Sequence, residues 1–279
     1  MKSFNTAFRQ LVAQIFKSGS VTYYYSSLFF PRDVRDDIFV FYAYVRTADD
    51  LVDAVPQDIK GFAEYRQQTE TGLRDGHSEN PLIQGLLDVM QKHQIDAACI
   101  TSFLDSMEAD TTKTTYQTYQ ELDDYMYGSA GVIGLIMSQI LSLPEKSFTS
   151  AQMQGNAMQL INFIRDIQED IDLGRQYIPQ EDLEQFNLSN QHPTSSEEQE
   201  QFCKLVHFEI ERYYKLQEQA EEGYQYIPRK YRIPIKTAAD MYNWTARQIW
   251  KDPMIVFQKK VKPNPVFVLM TALKNILIA

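Results

Sequence analysis

The chain has 279 residues, is 44% hydrophobic and carries a formal net charge of −10. This length and apolar content suffice for one large domain with a sizeable core, and no Ser/Gly linker or repeat interrupts it, so we expect a single domain over residues 1–279. The acidic balance, without a basic face, argues against a nucleic-acid binder.

Almost every segment has apolar residues at helical spacing, and short alternating runs typical of strands are nearly absent. The pattern predicts an all-α bundle with helices at residues 3–17, 33–54, 59–74, 80–93, 96–109, 118–141, 150–173, 197–223, 234–260 and 265–277. Capping boxes predict helix starts at Thr118, Thr149 and Ser195. Turns are predicted at Pro56, at Gly76, at Pro144 and in the segment NLSNQHPTSS.

The termini and the cysteines bear on location. The N-terminus lacks the apolar core of a signal peptide, and no apolar run reaches the ~18 residues that span a bilayer. Cys99 and Cys203 stand alone and the histidines are scattered, so we expect a cytoplasmic protein without zinc. The C-terminal segment PVFVLMTALKNILIA predicts a packed last helix, which we favour, or a peripheral membrane contact.

A first acidic stretch is YVRTADDLVD, residues 44–53. Residues four apart on a helix share a face, so Tyr42, Arg46, Asp49 or Asp50, and Asp53 form one polar stripe. A like-charge pair such as Asp49 and Asp53 costs a few tenths of a kcal/mol by itself. The stretch taken alone is explained equally well by a solvated face on which Arg46 pairs with Asp50.

A second stretch, QLINFIRDIQEDIDLGRQYIP at residues 159–179, is more informative. Asn162, Asp166 and Asp170 are spaced by four and share a face of a helix that is otherwise apolar enough to be central. Because burying carboxylates is very costly unless they are paired or bind metal, two such stripes predict one acidic cleft with facing walls.

The chemistry of such a cleft follows from its ligands. Hard oxygen ligands favour Mg²⁺, which usually takes one or two carboxylates together with waters and substrate phosphates. The cleft therefore predicts a diphosphate substrate. The apolar bundle around it predicts that the rest of this substrate is hydrophobic. The chain has no GxxxxGK[ST] loop, which argues against a P-loop nucleotide enzyme.

These stretches resemble the squalene/phytoene synthase family, from about Ser20 to about Tyr242, and most of all its bacterial-type phytoene synthases. FYAYVRTADDLVD is similar to the family's first aspartate-rich motif, and LINFIRDIQEDIDLGRQYIP to the second. ELDDYMYGSAGVIGLIM is similar to its small-residue helix. The resemblance implies an all-α isoprenoid-synthase-type bundle with a central cavity, and a prenyl transferase that joins two prenyl diphosphates head to head through a cyclopropyl diphosphate.

The resemblance also implies roles. The Mg²⁺ ligands, with Mn²⁺ as a substitute, would be Asp49, Asp53, Asp166 and Asp170; Asp50 and Glu169 are second choices because they point off the stripes. Diphosphate contacts would come from Arg46, Gln159, Asn162 and Arg165, although a salt bridge to Glu169 is an alternative for Arg165. Tyr42 would line the site and relay a proton.

Two further segments match the family less closely. SGSVTYYYSSLFFP is similar to its first substrate-binding segment, with Ser20, Thr22 and Tyr23 matching in type. Val21 stands where many members carry lysine, which removes one diphosphate contact. Tyr242 matches a C-terminal active-site tyrosine by approximate register. Gly128, Gly131 and Gly134 either let a substrate chain lie close to their helix or allow helices to pack closely.

We expect two geranylgeranyl diphosphates to give phytoene, a step of carotenoid biosynthesis. No dinucleotide fingerprint is present, so NADPH is not expected and proton loss is the simpler quench, although reductive members need not carry such a loop. Small side chains at Ser26 and Ser27, in a segment expected to wall the cavity, leave room for the longer chain. Alternatives are a dehydrosqualene or squalene synthase using farnesyl diphosphate, a chain-elongating synthase, a class I terpene cyclase and a non-catalytic scaffold relative.

Overall fold

The structure, a computed structural model, describes residues 4–278, apart from the side chains of Asp33 and Ile278. The described residues form fourteen α-helices: α1 (Thr6–Gly19), α2 (Val21–Ser27), α3 (Arg32–Asp53), α4 (Ile59–Asp75), α5 (Pro81–His93), α6 (Ala97–Ala109), α7 (Tyr119–Met126), α8 (Val132–Ile140), α9 (Phe148–Arg165), α10 (Ile167–Asp172), α11 (Gln180–Gln185), α12 (Ser196–Glu221), α13 (Arg229–Lys251) and α14 (Pro265–Ile278). They contain no strand, so the predicted all-α class is confirmed.

Several predicted boundaries are correct because local chemistry sets them. Ser195 and Glu198 form the expected capping box at the start of α12, and Gly76 ends α4 in the left-handed conformation, with φ of 71°. Thr118 caps α7 by accepting a hydrogen bond from the Glu121 amide. The segment NLSNQHPTSS lies in the connection between α11 and α12, as predicted, apart from its last residue, Ser196, which begins α12.

Other boundaries differ. Thr149 does not cap a helix, because α9 already begins at Phe148 after a 3₁₀ turn at Glu145–Ser147. The predicted helix at 118–141 contains a π-helical turn, Tyr127–Gly131, between α7 and α8. Instead of one helix at 234–260, α13 begins after Pro228 and ends at Lys251, followed by a 3₁₀ turn at Pro253–Phe257. The predicted first helix begins at residue 3, which lies outside the described residues; α1 begins at Thr6.

The core consists of two clusters that flank the site. The first surrounds α3, whose buried Phe41 and Tyr44 pack with side chains of α1, α4, α5 and α6. The second surrounds α9, whose Leu160 and Ile164 pack with side chains of α7, α12 and α13. Tyr23 of α2 packs against both clusters. The two helices that carry the acidic stretches are therefore the central helices of the two clusters.

The C-terminal helix α14 packs on α13 and α2 through one face, where Val268, Ala272 and Asn275 are buried. The favoured interpretation of the C-terminal segment as a packed helix is therefore correct for that face. In residues 4–278, no helix combines the length and apolar character needed to cross a membrane.

Candidate active site

A polar cavity of about 480 Å³ lies between the end of α3, the junction of α9 and α10, and the loop before α14. The structure brings the predicted carboxylates together there: Asp49 and Asp53 line one wall, and Asp166 and Asp170 line another. Acids at a helix C-terminus oppose the helix dipole, so these positions do not help α3 to fold. The acidic residues at the end of α3 therefore destabilise the helix slightly, and helix formation does not explain why they are present.

The second acidic stretch is not one continuous helix, which corrects the prediction of a helix over 150–173. At Asp166 the backbone leaves helical geometry, with φ −100° and ψ 13°, and divides α9 from α10. Hydrogen bonds continue across the break, since the Asp166 amide donates to the Asn162 carbonyl and the Asp170 amide to the Asp166 carbonyl, each at 2.9 Å. Aspartate is a weak helix former, so a break here costs little. The spacing by four is kept, and Asn162, Asp166 and Asp170 all line the cavity.

Basic side chains partner the acids of the first stretch. The Arg46 guanidinium donates to Asp49 at 2.6 Å and also pairs with Asp50. Arg175 donates to Asp53 at 2.7 Å. Asp50 does not line the cavity, in agreement with its being a second choice. The pairing of Arg46 with Asp50 that a solvated face predicts is therefore present, together with a pairing toward the cavity.

The second stretch is partnered differently from the prediction. Arg165 donates to Asp166 at 2.8 Å, whereas Glu169 pairs with Lys260. The alternative bridge from Arg165 to Glu169 is thus wrong. Lys260 also lies 3.1 Å from Asp166. Glu169 lines the cavity rather than pointing away from it, because the break at Asp166 turns α10. Burial disfavours ionised Asp166, but Arg165 and Lys260 outweigh it and hold its pKa below the usual range.

Asp170 differs from the other three, since within residues 4–278 it has no ion pair of its own. Burial raises the pKa of Asp170 to about 8, and the Asp166 and Asp53 carboxylates add to the rise while Arg175 opposes it. The pKa of Asp49 is raised as well, first by burial and then by Asp53. These two carboxyls therefore keep their protons to higher pH than ordinary carboxyls, because the cations of the cavity do not fully offset burial and the repulsion between neighbouring carboxylates.

The donor set fits a divalent cation in part. In the described chain, no group of three or more His, Cys, Asp and Glu side chains is arranged to hold a metal ion. Facing carboxylates with raised pKa values are, however, the hard oxygen donors that Mg²⁺ takes one or two at a time, completing its shell with water and phosphate oxygens. The residues fit an ion shared with a phosphate-bearing ligand rather than a cage built by the protein.

The polar cavity adjoins an apolar pocket of about 360 Å³ in the bundle interior. Its walls include Phe41, Phe103, Ile133 and Met137, and Ser26 and Ser27 line it as the sequence suggested. The residues that line both spaces are Tyr23, Tyr42, Arg46, Asp49, Tyr125, Gln159 and Asn162. A ligand with a charged head and an apolar tail can therefore occupy both spaces at once.

The glycines of the small-residue helix mainly allow close helix packing. A Cβ at Gly128 would lie 2.0 Å from the Ser106 hydroxyl, and one at Gly134 would lie 2.0 Å from the Ala151 carbonyl oxygen. At Gly131 the nearest atom would be the Asn156 side-chain oxygen, at 2.9 Å. The packing interpretation therefore holds at all three positions, and because Gly134 also lines the apolar pocket, the substrate-contact alternative stays open at that one position.

The remaining predicted contacts also surround the polar cavity, whose lining includes Ser20, Thr22, Tyr23, Tyr42, Gln159, Asn162, Arg165 and Tyr242. The Ser20 side chain is already used as the N-cap of α2, where it accepts from the Tyr23 amide at 3.3 Å. The side-chain oxygen of Asn162 is buried without a hydrogen-bond partner. A buried acceptor without a partner is costly, and a hydrogen-bond donor or a cation that enters with a ligand would satisfy it.

Several residues that line the cavity were not assigned from the sequence, among them Arg175, which pairs with Asp53. Lys260 and Lys262 reach the cavity from the loop before α14 and supply cations there. Asp110, Tyr125 and Tyr177 form a hydrogen-bonded group at its edge. Tyr125 lies in the motif ELDDYMYGSAGVIGLIM and Tyr177 in LINFIRDIQEDIDLGRQYIP, so these motifs could have indicated both tyrosines. No local sequence pattern indicates the two lysines or Asp110.

Comparison with known proteins agrees with the family resemblance of the acidic motifs. The squalene/phytoene synthase family model matches residues 16–266. A 15-cis-phytoene synthase from Synechocystis sp. is 31% identical over 274 residues, covering 92% of this chain and 80% of that protein. A phytoene synthase from Arthrospira platensis is 27% identical, covering 90% and 85%. Among solved structures, a dehydrosqualene synthase in complex with ligand aligns with a TM-score of 0.79 at 21% identity, covering 96% and 94%.

The fold and the acid-lined cavity thus define an all-α enzyme of the prenyl transferase type. The chain belongs to the squalene/phytoene synthase family. Enzymes of this class act on prenyl diphosphates and depend on a divalent metal.

Proposed function

We propose that the protein condenses two geranylgeranyl diphosphates head to head, through a cyclopropyl diphosphate, to phytoene. The observation that carries the proposal is the junction of the acid-lined cavity with the apolar pocket, which separates a diphosphate head from its prenyl chain. The names of the relatives, 15-cis-phytoene synthase and phytoene synthase, support the forty-carbon product.

Asp49 and Asp53 on one wall, and Asp166 and Asp170 on the other, would hold Mg²⁺, with Mn²⁺ as a substitute. When bound, the ion neutralises diphosphate charge and so assists departure of the leaving group. The raised pKa values of Asp49 and Asp170 support this assignment, because a cation relieves the repulsion that a proton otherwise relieves.

Basic side chains bind the diphosphate oxygens. Arg46 and Arg165 do so from the two acidic helices, and their guanidinium groups suit bidentate contact. Lys260 and Lys262 face the same cavity from the loop before α14. They supply the positive charge that Val21 does not provide. Lys260 must share its contacts with Asp166 and Glu169. Gln159, Asn162 and Ser20 add neutral hydrogen bonds.

The apolar pocket holds the prenyl chains and keeps water from the carbocations that form when diphosphate leaves. Tyr42 and Tyr125 border the place where both spaces meet. The reaction ends by loss of a proton, without NADPH. Ser26 and Ser27 leave room for a twenty-carbon chain because neither fills the pocket wall.

The forty-carbon product is insoluble in water, and α14 provides a surface for its delivery to a membrane. Val266, Met270, Leu273 and Leu277 form a stripe at helical spacing that is 58–85% exposed. Its neighbours α2 and α13 wall the apolar pocket. We assign the stripe to peripheral membrane contact of an otherwise cytoplasmic protein.

The test is incubation of the purified protein with farnesyl or geranylgeranyl diphosphate and Mg²⁺, with and without NADPH, followed by product analysis. Phytoene that is independent of NADPH is the expected result. Dehydrosqualene, or squalene when NADPH is present, would assign the protein to the thirty-carbon branch, which also has a relative: a 4,4'-diapophytoene synthase from Staphylococcus haemolyticus is 30% identical over 64% of this chain.

A further inference from the structure

Tyr125 is in the last turn of α7, immediately before the π-helical turn. It is 8% exposed and lines both the polar cavity and the apolar pocket. Its hydroxyl donates a hydrogen bond to Oδ2 of Asp110 at 2.6 Å. The hydroxyl hydrogen therefore points to Asp110, so toward every other neighbour the hydroxyl can present only its oxygen.

Asp110 is buried just after α6, where it caps the helix. Its other carboxylate oxygen accepts a hydrogen bond from the Tyr177 hydroxyl at 3.0 Å. An ionised carboxylate only accepts hydrogen bonds, so both tyrosines must donate, and the direction of each hydroxyl is fixed. Tyr177 belongs to the GRQYIP segment, and the proposed binding of metal and diphosphate gives Tyr177 itself no role.

The rings around Tyr125 fix the plane of its side chain. Its ring centroid lies 5.3 Å from Tyr116, 5.7 Å from Tyr177 and 6.1 Å from Phe163. Tyr177 and Phe163 stack at 4.1 Å with an angle of 12° between their planes. The ring cannot swing away without disturbing this cluster, so only rotation of the hydroxyl about its C–O bond is left for Asp110 to control.

We infer that Asp110 is a positioning residue, which holds the Tyr125 hydroxyl so that its oxygen, and not its hydrogen, faces the reacting prenyl chains. This inference rests on the proposed function. A partly negative oxygen at this position stabilises positive charge that develops on the prenyl carbons. A hydroxyl that turned its hydrogen inward would instead destabilise the same charge. Tyr177 acts as the second donor that keeps the carboxylate oxygens in place.

Asp110→Asn tests the inference, because an amide has one acceptor oxygen for two tyrosine donors and one hydroxyl must reverse. We expect kcat to fall by about 100-fold with KM within about threefold of the parent value. Tyr125→Phe removes the group that Asp110 orients, so the double variant Asp110→Asn/Tyr125→Phe should be no slower than Tyr125→Phe alone. Asp124→Asn is the matched control and should keep parent kinetics, because Asp124 neighbours Tyr125 on α7 but accepts a hydrogen bond from Gln120 and does not line either space.

Tyr177→Phe separates Asp110 from its second partner. It should lower kcat by less than about fivefold, because Asp110 still accepts from Tyr125. A Tyr177→Phe variant as slow as Asp110→Asn would overturn the inference, as would additive losses in the double variant or a change confined to KM.

A second readout needs neither turnover nor full stability of the Asp110 variant. With ¹³Cζ-labelled tyrosine, the NMR signal of Tyr125, assigned by its loss in Tyr125→Phe, reports the hydrogen bond to the carboxylate. It should move in Asp110→Asn and stay in Asp124→Asn. An unmoved signal overturns the inference even if the protein is active. A moved signal in a protein that makes no prenyl product leaves Asp110 as the orienting residue and rejects the proposed function instead.

Discussion

Arg175 and Asp53 are 122 positions apart in the chain, and a guanidinium nitrogen of Arg175 lies 2.7 Å from a carboxylate oxygen of Asp53. A second nitrogen of the same guanidinium donates to the Val52 carbonyl at 2.8 Å. The side chain of Arg175 is 8% exposed. The planar guanidinium of Arg175 thus links the end of α3 to the loop that follows α10. This link fixes the distance between the two walls of the cavity.

Arg175→Lys should lower kcat/KM for the prenyl diphosphate by roughly 10- to 100-fold. Lysine keeps the charge but cannot serve two acceptors with a rigid fork, so Asp53 loses its fixed position. Steady-state kinetics and a thermal melt would measure the effect. Arg74→Lys is the matched control, because within residues 4–278 the exposed Arg74 forms an ion pair with its neighbour Asp75 and with no other acid. Equal kinetics in the two variants would contradict the role of the Arg175 guanidinium in positioning Asp53.

Asp170→Asn should nearly abolish turnover, and so should Asp49→Ala and Asp166→Ala, while the circular dichroism spectrum stays that of the parent. Each change removes a carboxylate that would hold the divalent ion against the diphosphate. Asp172→Asn provides the comparison, since Asp172 lies on the same short helix but is absent from the cavity wall and hydrogen-bonds to Gln168. Normal activity of Asp166→Ala would reject the assignment of the acidic walls.

Removal of divalent metal should stop the reaction without unfolding the protein. The two hydrophobic clusters, not a metal ion, hold the helices together, so α-helical content should persist in EDTA. Product formation should return on addition of excess Mg²⁺ or Mn²⁺. Full activity in EDTA would be incompatible with the proposed function.

The stability of the metal-free protein should fall as pH rises from about 4 to about 8. The pKa of Asp170 is raised to about 8, above the ordinary value near 3.9, so over this interval the folded state binds a proton that the unfolded state has lost. The contribution is complete below pH ~4 and is lost through pH ~8, with a slope of up to about 1.4 kcal/mol per pH unit for one proton. Urea unfolding in EDTA at several pH values measures it.

Asp170→Asn should have a shallower dependence on pH than the parent, and Asp172→Asn should match the parent. Other buried acids, such as Glu209, whose pKa burial raises to about 8, are present in all three proteins and cancel in the comparison. Parallel curves for parent and Asp170→Asn would show that Asp170 ionises normally in the folded protein.

The sequence predicted what depends on local spacing. Tyr42, Arg46, Asp49 and Asp53 share a face because a helix repeats every 3.6 residues, and the structure places all four at one cavity. The sequence did not predict contacts between residues that are far apart in the chain. Lys260 reaches Asp166 through the loop before α14, and no periodic pattern connects positions so far apart.

The break at Asp166 shows a second limit. Its neighbours have strong helical periodicity, so the pattern predicts one helix, yet the backbone turns where Arg165 and Lys260 hold the carboxylate. Tertiary contacts override a local preference that is worth only a few tenths of a kcal/mol. The motif residues of the site and the Arg46–Asp50 pair were therefore accessible from the sequence, whereas Lys260, Lys262, Asp110 and the other ion pairs of the cavity were not. The single domain over residues 1–279 stays a prediction.

The last prediction concerns chain length. Ser27 is 5% exposed and lines the apolar pocket, so Ser27→Phe would place a ring in space that a twenty-carbon chain needs. The variant should lose kcat/KM for geranylgeranyl diphosphate by more than about tenfold while keeping activity with farnesyl diphosphate, since a pocket that is shortened rejects the longer substrate on steric grounds. Competition between the two substrates, with thirty- and forty-carbon products counted, gives the ratio directly. Leu28→Phe is the matched control, because the adjacent Leu28 is 39% exposed and does not line the pocket. A parent enzyme that already prefers farnesyl diphosphate would show that the pocket accommodates the shorter chain. An unchanged ratio of thirty- to forty-carbon products in Ser27→Phe would show that Ser27 does not determine chain-length selectivity.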